Sequence, residues 1–506
     1  MSPEIVTAAD LGPDLILEIA AGGPARLAPA LLDEVDRQCA AAREVLSRGD
    51  PVYGVNTGMG ALSGVRLTEA EQLSHQRNLL LARATGGPPW LEAPDARALI
   101  AVRLRTFLSG DSGVSAALCQ RLADVLNAGL VPAVPRGGFG CAGEIMPLAH
   151  AFGPLVGIGR VLAPGRVPGP AGEGPAPAGL PAPAGDLTWP ADGALQASGL
   201  GGFSLGPKEG IALLAGVPGA TALSLRRLAE ARDLASAMES AAALSIAAAG
   251  ASRDPYAAAC ARGDEILAGV LGRLRAAVGA HPEPRALQAP VSFRVAGPVL
   301  TQVLRAGDAL AAAAGRALAG VTDSPAFLDG AFVGTAGFHG IDLAAHCDLL
   351  TAALAHAAEV SAARVHRLLD PRVTGLPAQL APRPGPDAGL VTVHKRAAGE
   401  VHALRRLAVA TPVGLIETSG GQEDVPCFAW EAAETLRGAL RHARAVTACE
   451  LLAGYQAGVL AGQAGRPVPA GCRGTLDRLA GIIDPIRADR PFGEDIERII
   501  GAGLPH

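Results

Sequence analysis

The chain has 506 residues, enough by length alone for several domains, and its 49% hydrophobic content supplies a large folded core and excludes a disordered polymer. A formal net charge of -5, from 43 Lys and Arg against 48 Asp and Glu, offers no basic field for nucleic acid or an anionic membrane. Eight cysteines without a C-x-x-C pair point to a reduced compartment and exclude a zinc ribbon or a redox dithiol.

In chain order, the opening MSPEIVTAADLGPDL lacks a basic stretch followed by an apolar core. The apolar runs elsewhere are Ala-rich and broken by charge before about 18 residues, so a cytoplasmic protein with no membrane association is expected. Residues 14–47 hold apolar positions at helical spacing, ending where Gly49 and Pro51 would stop a helix. A Gly-rich loop, YGVNTGMGALSG, follows from Tyr53. Helical patterning resumes over 68–84, 95–109 and 113–128, before the turn-rich stretch GGFGCAGEIMPLAH at 137–150.

Residues 163–200 change to a low-complexity Pro, Gly and Ala run, read as an exposed loop. Beyond Lys208 the spacing predicts long helices over 208–249, 300–320, 340–369, 390–408 and 429–461. Lengths well above the ordinary helix of about 11–12 residues predict a bundle. The expected organisation is an N-terminal part over 1–162, the loop over 163–200 and the bundle over 201–506. The fold class is all-α, with an irregular Gly-rich N-terminal part.

The stretch GGFGCAGEIMPLAH resembles the signature of the aromatic amino acid lyases, the histidine, phenylalanine and tyrosine ammonia-lyases and related aminomutases, usually close to GSxGASGDLAPLAH. Further segments are similar in the same order: YGVNTGMG to YGVNTGFG, NLLLARATG to NLxxSHAxG, GPKEGIALLAGV to PKEGLALINGT, and QAPVSFR to QDPYSLR. TDSPAF, TAGFHG and SGGQEDVPC are similar to TDNPLVF, GGNFHG and SAGQEDHVS. The resemblance spans roughly residues 10–460 and implies the long-helix bundle of the ammonia-lyase type, shared with aspartase and fumarase. It also implies a homotetramer of D2 symmetry with sites assembled from more than one subunit.

In that family the Ala-Ser-Gly triplet cyclises and loses water to form 4-methylideneimidazol-5-one, an electrophile. Here the triplet position holds Cys141-Ala142-Gly143. The methyl of Ala142 has no leaving group, so the prosthetic group is not expected to form and no cofactor is expected. The departures fall where the resemblance expects functional side chains: Ala215 replaces Asn and Val291 replaces Tyr, positions beside the electrophile or the substrate in the family, while Arg83 replaces His, Gly337 replaces Asn and Glu144 replaces Asp.

The retained positions define the candidate site. The resemblance makes Arg294 the grip for a substrate carboxylate, which a guanidinium binds through two parallel hydrogen bonds; the alternative is an ion pair with a glutamate such as Glu423. Tyr53 takes the place of the family's catalytic tyrosine and needs a neighbouring cation, such as Arg83 or Arg294, to work as a base. Glu423 either faces a cavity or caps a helix. Glu144 is either an acid raised by burial or the acceptor of a backbone amide. Asn56, Gln288 and Phe338 are matched substrate-binding positions, and Arg83 falls where the family selects among rings, favouring an acceptor other than plain phenyl. Cys141 is either a nucleophile or a small buried thiol. His346, His356 and His366 stand about 15 Å apart on a helix, so no metal site is expected, and no phosphate-binding motif is present.

Three functions remain open. One is an enzyme without the electrophile, performing acid/base elimination, conjugate addition or cyclisation on a carboxylate-bearing, amino-acid-derived small molecule in specialised metabolism. Another is an inactive homologue acting as a binding or scaffold protein, with its cavity filled. The third is an aromatic amino acid ammonia-lyase whose serine is substituted at Ala142, which leaves the other departures unexplained.

Overall fold

The computed structural model describes residues 3–163, 188–279, 283–414, 416–466 and 468–504. Helices dominate, and the predicted ones lie where the apolar spacing puts them: Glu69–Arg83, Ala93–Leu108, Ala116–Asn127, Ala296–Ala319, Ile341–Leu368, Val391–Arg405 and Ala429–Gln463. Two expected helices are each broken in two. The 14–47 stretch divides into Pro13–Ala20 and Pro29–Ser47, each with proline in its first turn, where the missing N–H costs nothing. The 208–249 stretch divides into Glu209–Leu214 and Pro218–Ala249, separated at Gly216, whose φ of +78° favours glycine and where a Cβ would stand 2.9 Å from Thr322 Oγ1.

Two short two-stranded antiparallel sheets are also present among the described residues. Arg160–Leu162 pairs with Thr188–Pro190, with Val161 opposite Trp189, and Ala326–Leu328 pairs with Ala331–Val333, with Phe327 opposite Phe332. Most of the expected 163–200 loop, residues 164–187, lies outside the described residues. Within the rest, Thr188–Pro190 is a strand and Ala191–Ala197 a helix. Composition alone missed them because Trp189 and Ala194 sit in a small buried cluster with Val161.

The chain forms two compact units, each gathered from separated stretches: Met1–Arg226 with Ala311–Ala345 and Ala410–Glu434, and Arg227–Leu310 with His346–Val409 and Thr435–His506. They do not follow the consecutive division at 162 and 200, because local composition does not register which distant segments pack together.

In the first unit, Ala93–Leu108 packs against both Pro13–Ala20 and Ala116–Asn127 and is buried along almost its whole length. Glu69–Arg83, Ile145–Phe152 and Glu209–Leu214 pack on one another, and the loops at their ends build the site described below. In the second unit, the core includes a fully buried Glu450 clasped by Arg364. The stretch Glu209–Ala249 is long and apolar enough to cross a membrane, but 89% of its most apolar window is buried inside the protein, as in the core helix of a globular bundle.

Candidate active site

The first wall is the loop after Asp50. Asn56 knits it: its Oδ1 accepts from Val52 N at 2.7 Å and its Nδ2 donates to the Asp50 carbonyl at 2.7 Å. Gly54, at φ +67°, lies so close to Ile211 that a Cβ would stand 2.1 Å from its side chain, which seats the loop on Glu209–Leu214. Tyr53 is thereby turned outward, 36% exposed, with its hydroxyl accepting from Gly60 N at 2.7 Å. Asn56 was expected to bind substrate; it is 7% exposed with its amide spent on the loop, so it shapes the wall instead.

The second wall is the triplet. Trp430 donates to the Arg136 carbonyl at 2.8 Å and meets Phe139 edge-on with centroids 5.6 Å apart, pinning the strand of chain that leads into it. Cys141 donates to the Gly143 carbonyl at 3.0 Å, and burial pushes its thiol up to about 12, so it has little thiolate character. That agrees with the inert alternative. The amide of Ala142 donates to Glu423 Oε2 at 2.8 Å. Glu423 is held in position by its own loop, whose Thr418 amide donates to the Glu423 carbonyl at 2.9 Å across the left-handed residues Ser419, Gly420 and Gly421.

Glu144, one residue past the triplet, points the other way. Its two oxygens accept from Gly219 N and Ala220 N at 2.7 and 2.6 Å, the first amides of Pro218–Ala249, which have no partner within their own helix. Burial pushes its carboxyl up to about 8, while these amides and Arg103 pull it down. It does not line the main cavity. The catalytic role expected for Glu144 therefore gives way to capping a long helix, the amide-paired alternative.

Behind the walls lies a layer of buried charge. Lys208 and Asp323 pair at 2.8 Å with both side chains wholly buried. Arg103, fully buried between Phe107 and Phe152, donates to the Ala215 carbonyl, and burial lowers it to about 10. Its Nε and Nη1, and Oδ1 of Asp323, have no hydrogen-bond partner among the described residues. The sequence reading did not single out Arg103; its signal was a cation inside the otherwise apolar helical run ALIAVRL.

Between the walls is a cavity of about 420 Å³. Tyr53, Ala142, Gly143 and Glu423 line it together with Ala215 and Phe338. Met59, Ile145, Ile211, Leu214 and Phe332 make the remainder largely apolar, as small-molecule sites are. None of these five was foreseen, since an apolar lining residue has no local mark distinguishing it from core. Arg83, at the end of Glu69–Arg83, is half-buried and directs Nη2 to the Met59 sulfur at 3.4 Å. Burial lowers its guanidinium, against which Tyr53 and Glu423 draw it up, so one cation lies within electrostatic reach of both.

Arg294 and Gln288 belong to the second unit. Arg294 ends the short helix Val291–Arg294 and is half-buried. Among the described residues its Nε is buried without a hydrogen-bond partner and it forms no ion pair within its own unit. Gln288 is exposed and makes no hydrogen bond among the described residues.

A family model described as aromatic amino acid lyase matches residues 11–478. Histidine ammonia-lyase of Streptomyces griseus is 34% identical over 453 residues, covering 85% of this chain and 83% of that one. Its counterpart in Streptomyces coelicolor is 34% identical over 483 residues, covering 89% and 86%. Among solved structures, the ergothioneine-degrading enzyme ergothionase of Treponema denticola superposes with a TM-score of 0.89 at 22% identity over 99% of this chain and 98% of that one. Tyrosine aminomutase of Streptomyces globisporus does so with a TM-score of 0.89 at 24% identity over 99% and 96%.

Proposed function

Because the chain belongs to the aromatic amino acid lyase family, we propose that it is an enzyme on that scaffold which works without the methylidene-imidazolone electrophile. The residues at the triplet do not fit that group. Forming it requires a β-oxygen at the central position that departs as water, and Ala142 presents only a methyl to the cavity. No step is therefore routed through it.

The chemistry left to the chain's own side chains is acid/base. In this reading Tyr53 removes a proton from the carbon next to a carboxylate or carbonyl, and Arg83 stabilises the phenolate and the enolate-like charge. Glu423, oriented by the Ala142 amide, returns a proton to the leaving atom or to the adjacent carbon. Arg294, which the resemblance makes the grip for the substrate carboxylate, is given that role in a site the family assembles from more than one subunit. These roles serve elimination, conjugate addition or cyclisation on an amino-acid-derived acid, in a specialised biosynthetic pathway. The working form is proposed to be a cytoplasmic homotetramer.

The observation that supports this reading is the open cavity itself. An inactive scaffold homologue would have filled the space vacated at Ala142 and Ala215, yet both residues line a cavity of about 420 Å³ with Tyr53 and Glu423 on its walls. The test is to purify the chain, offer it amino-acid-derived acids, and compare Tyr53→Phe and Arg294→Ala with the wild type. Loss of turnover in both supports the reading; turnover unchanged in both sinks it, and no turnover of any acid favours the scaffold homologue.

A further inference from the structure

The second unit contains a polar clamp on the backbone that presents Arg294. The short helix Val291–Arg294 exposes two carbonyls in succession, and each is taken by a buried side chain from elsewhere in the unit. Tyr256, wholly buried, donates its hydroxyl to the Phe293 carbonyl. Arg364 donates Nη1 to the Ser292 carbonyl at 3.3 Å.

Arg364 is itself immobilised. Its Nε and Nη2 grip Glu450 in a fork, at 2.5 and 2.8 Å. Glu450 is fully buried and also accepts from Ser245 at 2.6 Å and Ser361 at 2.5 Å. With both carboxylate oxygens saturated, the plane of the guanidinium has one orientation, and its remaining arm falls on the turn. A buried network satisfied at every member costs much to rearrange. The residue next to the two clamped carbonyls is Arg294, whose Nε is buried and has no hydrogen-bond partner among the described residues.

We propose that Tyr256 and Arg364, the latter locked by Glu450, are positioning residues that fix the direction in which Arg294 presents its guanidinium to a carboxylate. This rests on the reading of Arg294 as the carboxylate grip. Two parallel hydrogen bonds demand a set angle, and a misplacement of about 1 Å costs about 100-fold where geometry decides. Two side chains on a four-residue turn, one of them locked by Glu450, supply that precision, whereas a turn held only by its own backbone would let the guanidinium wander.

The test uses the full chain and two probes of equal shape, cinnamate and its neutral amide cinnamamide, with binding measured by titration calorimetry. The readout is the ratio of the two affinities, which a general loss of stability does not move. Wild type is expected to favour cinnamate, and Arg294→Met to bring the ratio close to one. Tyr256→Phe and Arg364→Lys are each expected to cut the ratio about tenfold while leaving cinnamamide binding unchanged. Tyr455→Phe removes the hydroxyl of another buried tyrosine, one directed to the Ile483 carbonyl, and is expected to leave the ratio alone. If Arg294→Met collapses the ratio but Tyr256→Phe and Arg364→Lys keep it, the clamp has no positioning role and the Arg294 reading stands. If Arg294→Met keeps the wild-type ratio, or wild type does not discriminate, the Arg294 reading fails and the clamp fails with it.

Discussion

The amide of Ala142 donates a 2.8 Å hydrogen bond to Oε2 of Glu423, joining the altered triplet to a carboxylate 281 residues further along the chain. The contact places a carboxylate against the wall where Ala142 carries no side-chain oxygen.

Restoring that oxygen alone is not expected to restore the family's chemistry. Ala142→Ser places a hydroxyl in the cavity, but the other departures from the family pattern, Ala215, Val291 and Glu144, remain. The expected outcome is no new near-ultraviolet absorbance on the protein and no ammonia released from L-histidine, L-phenylalanine or L-tyrosine. Appearance of both signals would mean that Ala142 is the sole lesion in a conventional ammonia-lyase.

Tyr53→Phe should separate chemistry from folding. Among the described residues the hydroxyl hydrogen-bonds only with the Gly60 amide, and the ring is 36% exposed, so the stability change should be about 1 kcal/mol or less. With Tyr53 as the proposed base, its removal should lower turnover by about 100- to 10,000-fold. Thermal denaturation and initial rates, measured on the same preparation, check both halves.

Lys208 and Asp323 form an ion pair with no exposed surface, and burial lowers the lysine from its usual value. Removing one partner leaves an uncompensated buried charge. Lys208→Met should therefore cost about 3–5 kcal/mol, and adding Asp323→Leu should return a large part of the loss. Urea unfolding of both variants reads the difference, and a double variant no better than the single would show that the pair is not the source of the cost.

Stability should depend on pH through Glu144. Burial raises its carboxyl from 4.5 to about 8, so the folded chain holds this proton more tightly than the unfolded one. The resulting stabilisation is complete below about pH 4.5 and is lost as pH rises towards 8. Glu431, raised by burial to about 7, contributes in the same direction. The thermal midpoint should fall across this window, with a shallower slope in Glu144→Gln; an unchanged slope would assign the dependence to other groups.

Much of the site's address was legible and much of its function was not. Tyr53, Glu423 and Phe338 were found through motif order, and all three line the cavity. Asn56 came from the same motif, but nothing local says that its amide is consumed by Val52 and Asp50. Glu144 left two readings open, and the choice was made by the unpaired amides of Gly219 and Ala220. Arg103 had no motif at all, and only its contact with the Ala215 carbonyl shows that it supports the cavity wall.

The sequence by itself determined the helical periodicity, the family frame and the missing hydroxyl at position 142, because each is a property of residues close together in the chain. Only the tertiary structure decided which polar groups are spent and which are free. Buried donors and acceptors must find partners, and here the partners lie far off: Gly219 stands 75 residues from Glu144, and Glu450 lies 86 from Arg364. A side chain's chemistry is set by what remains after those partners are satisfied, and no local spacing records that remainder.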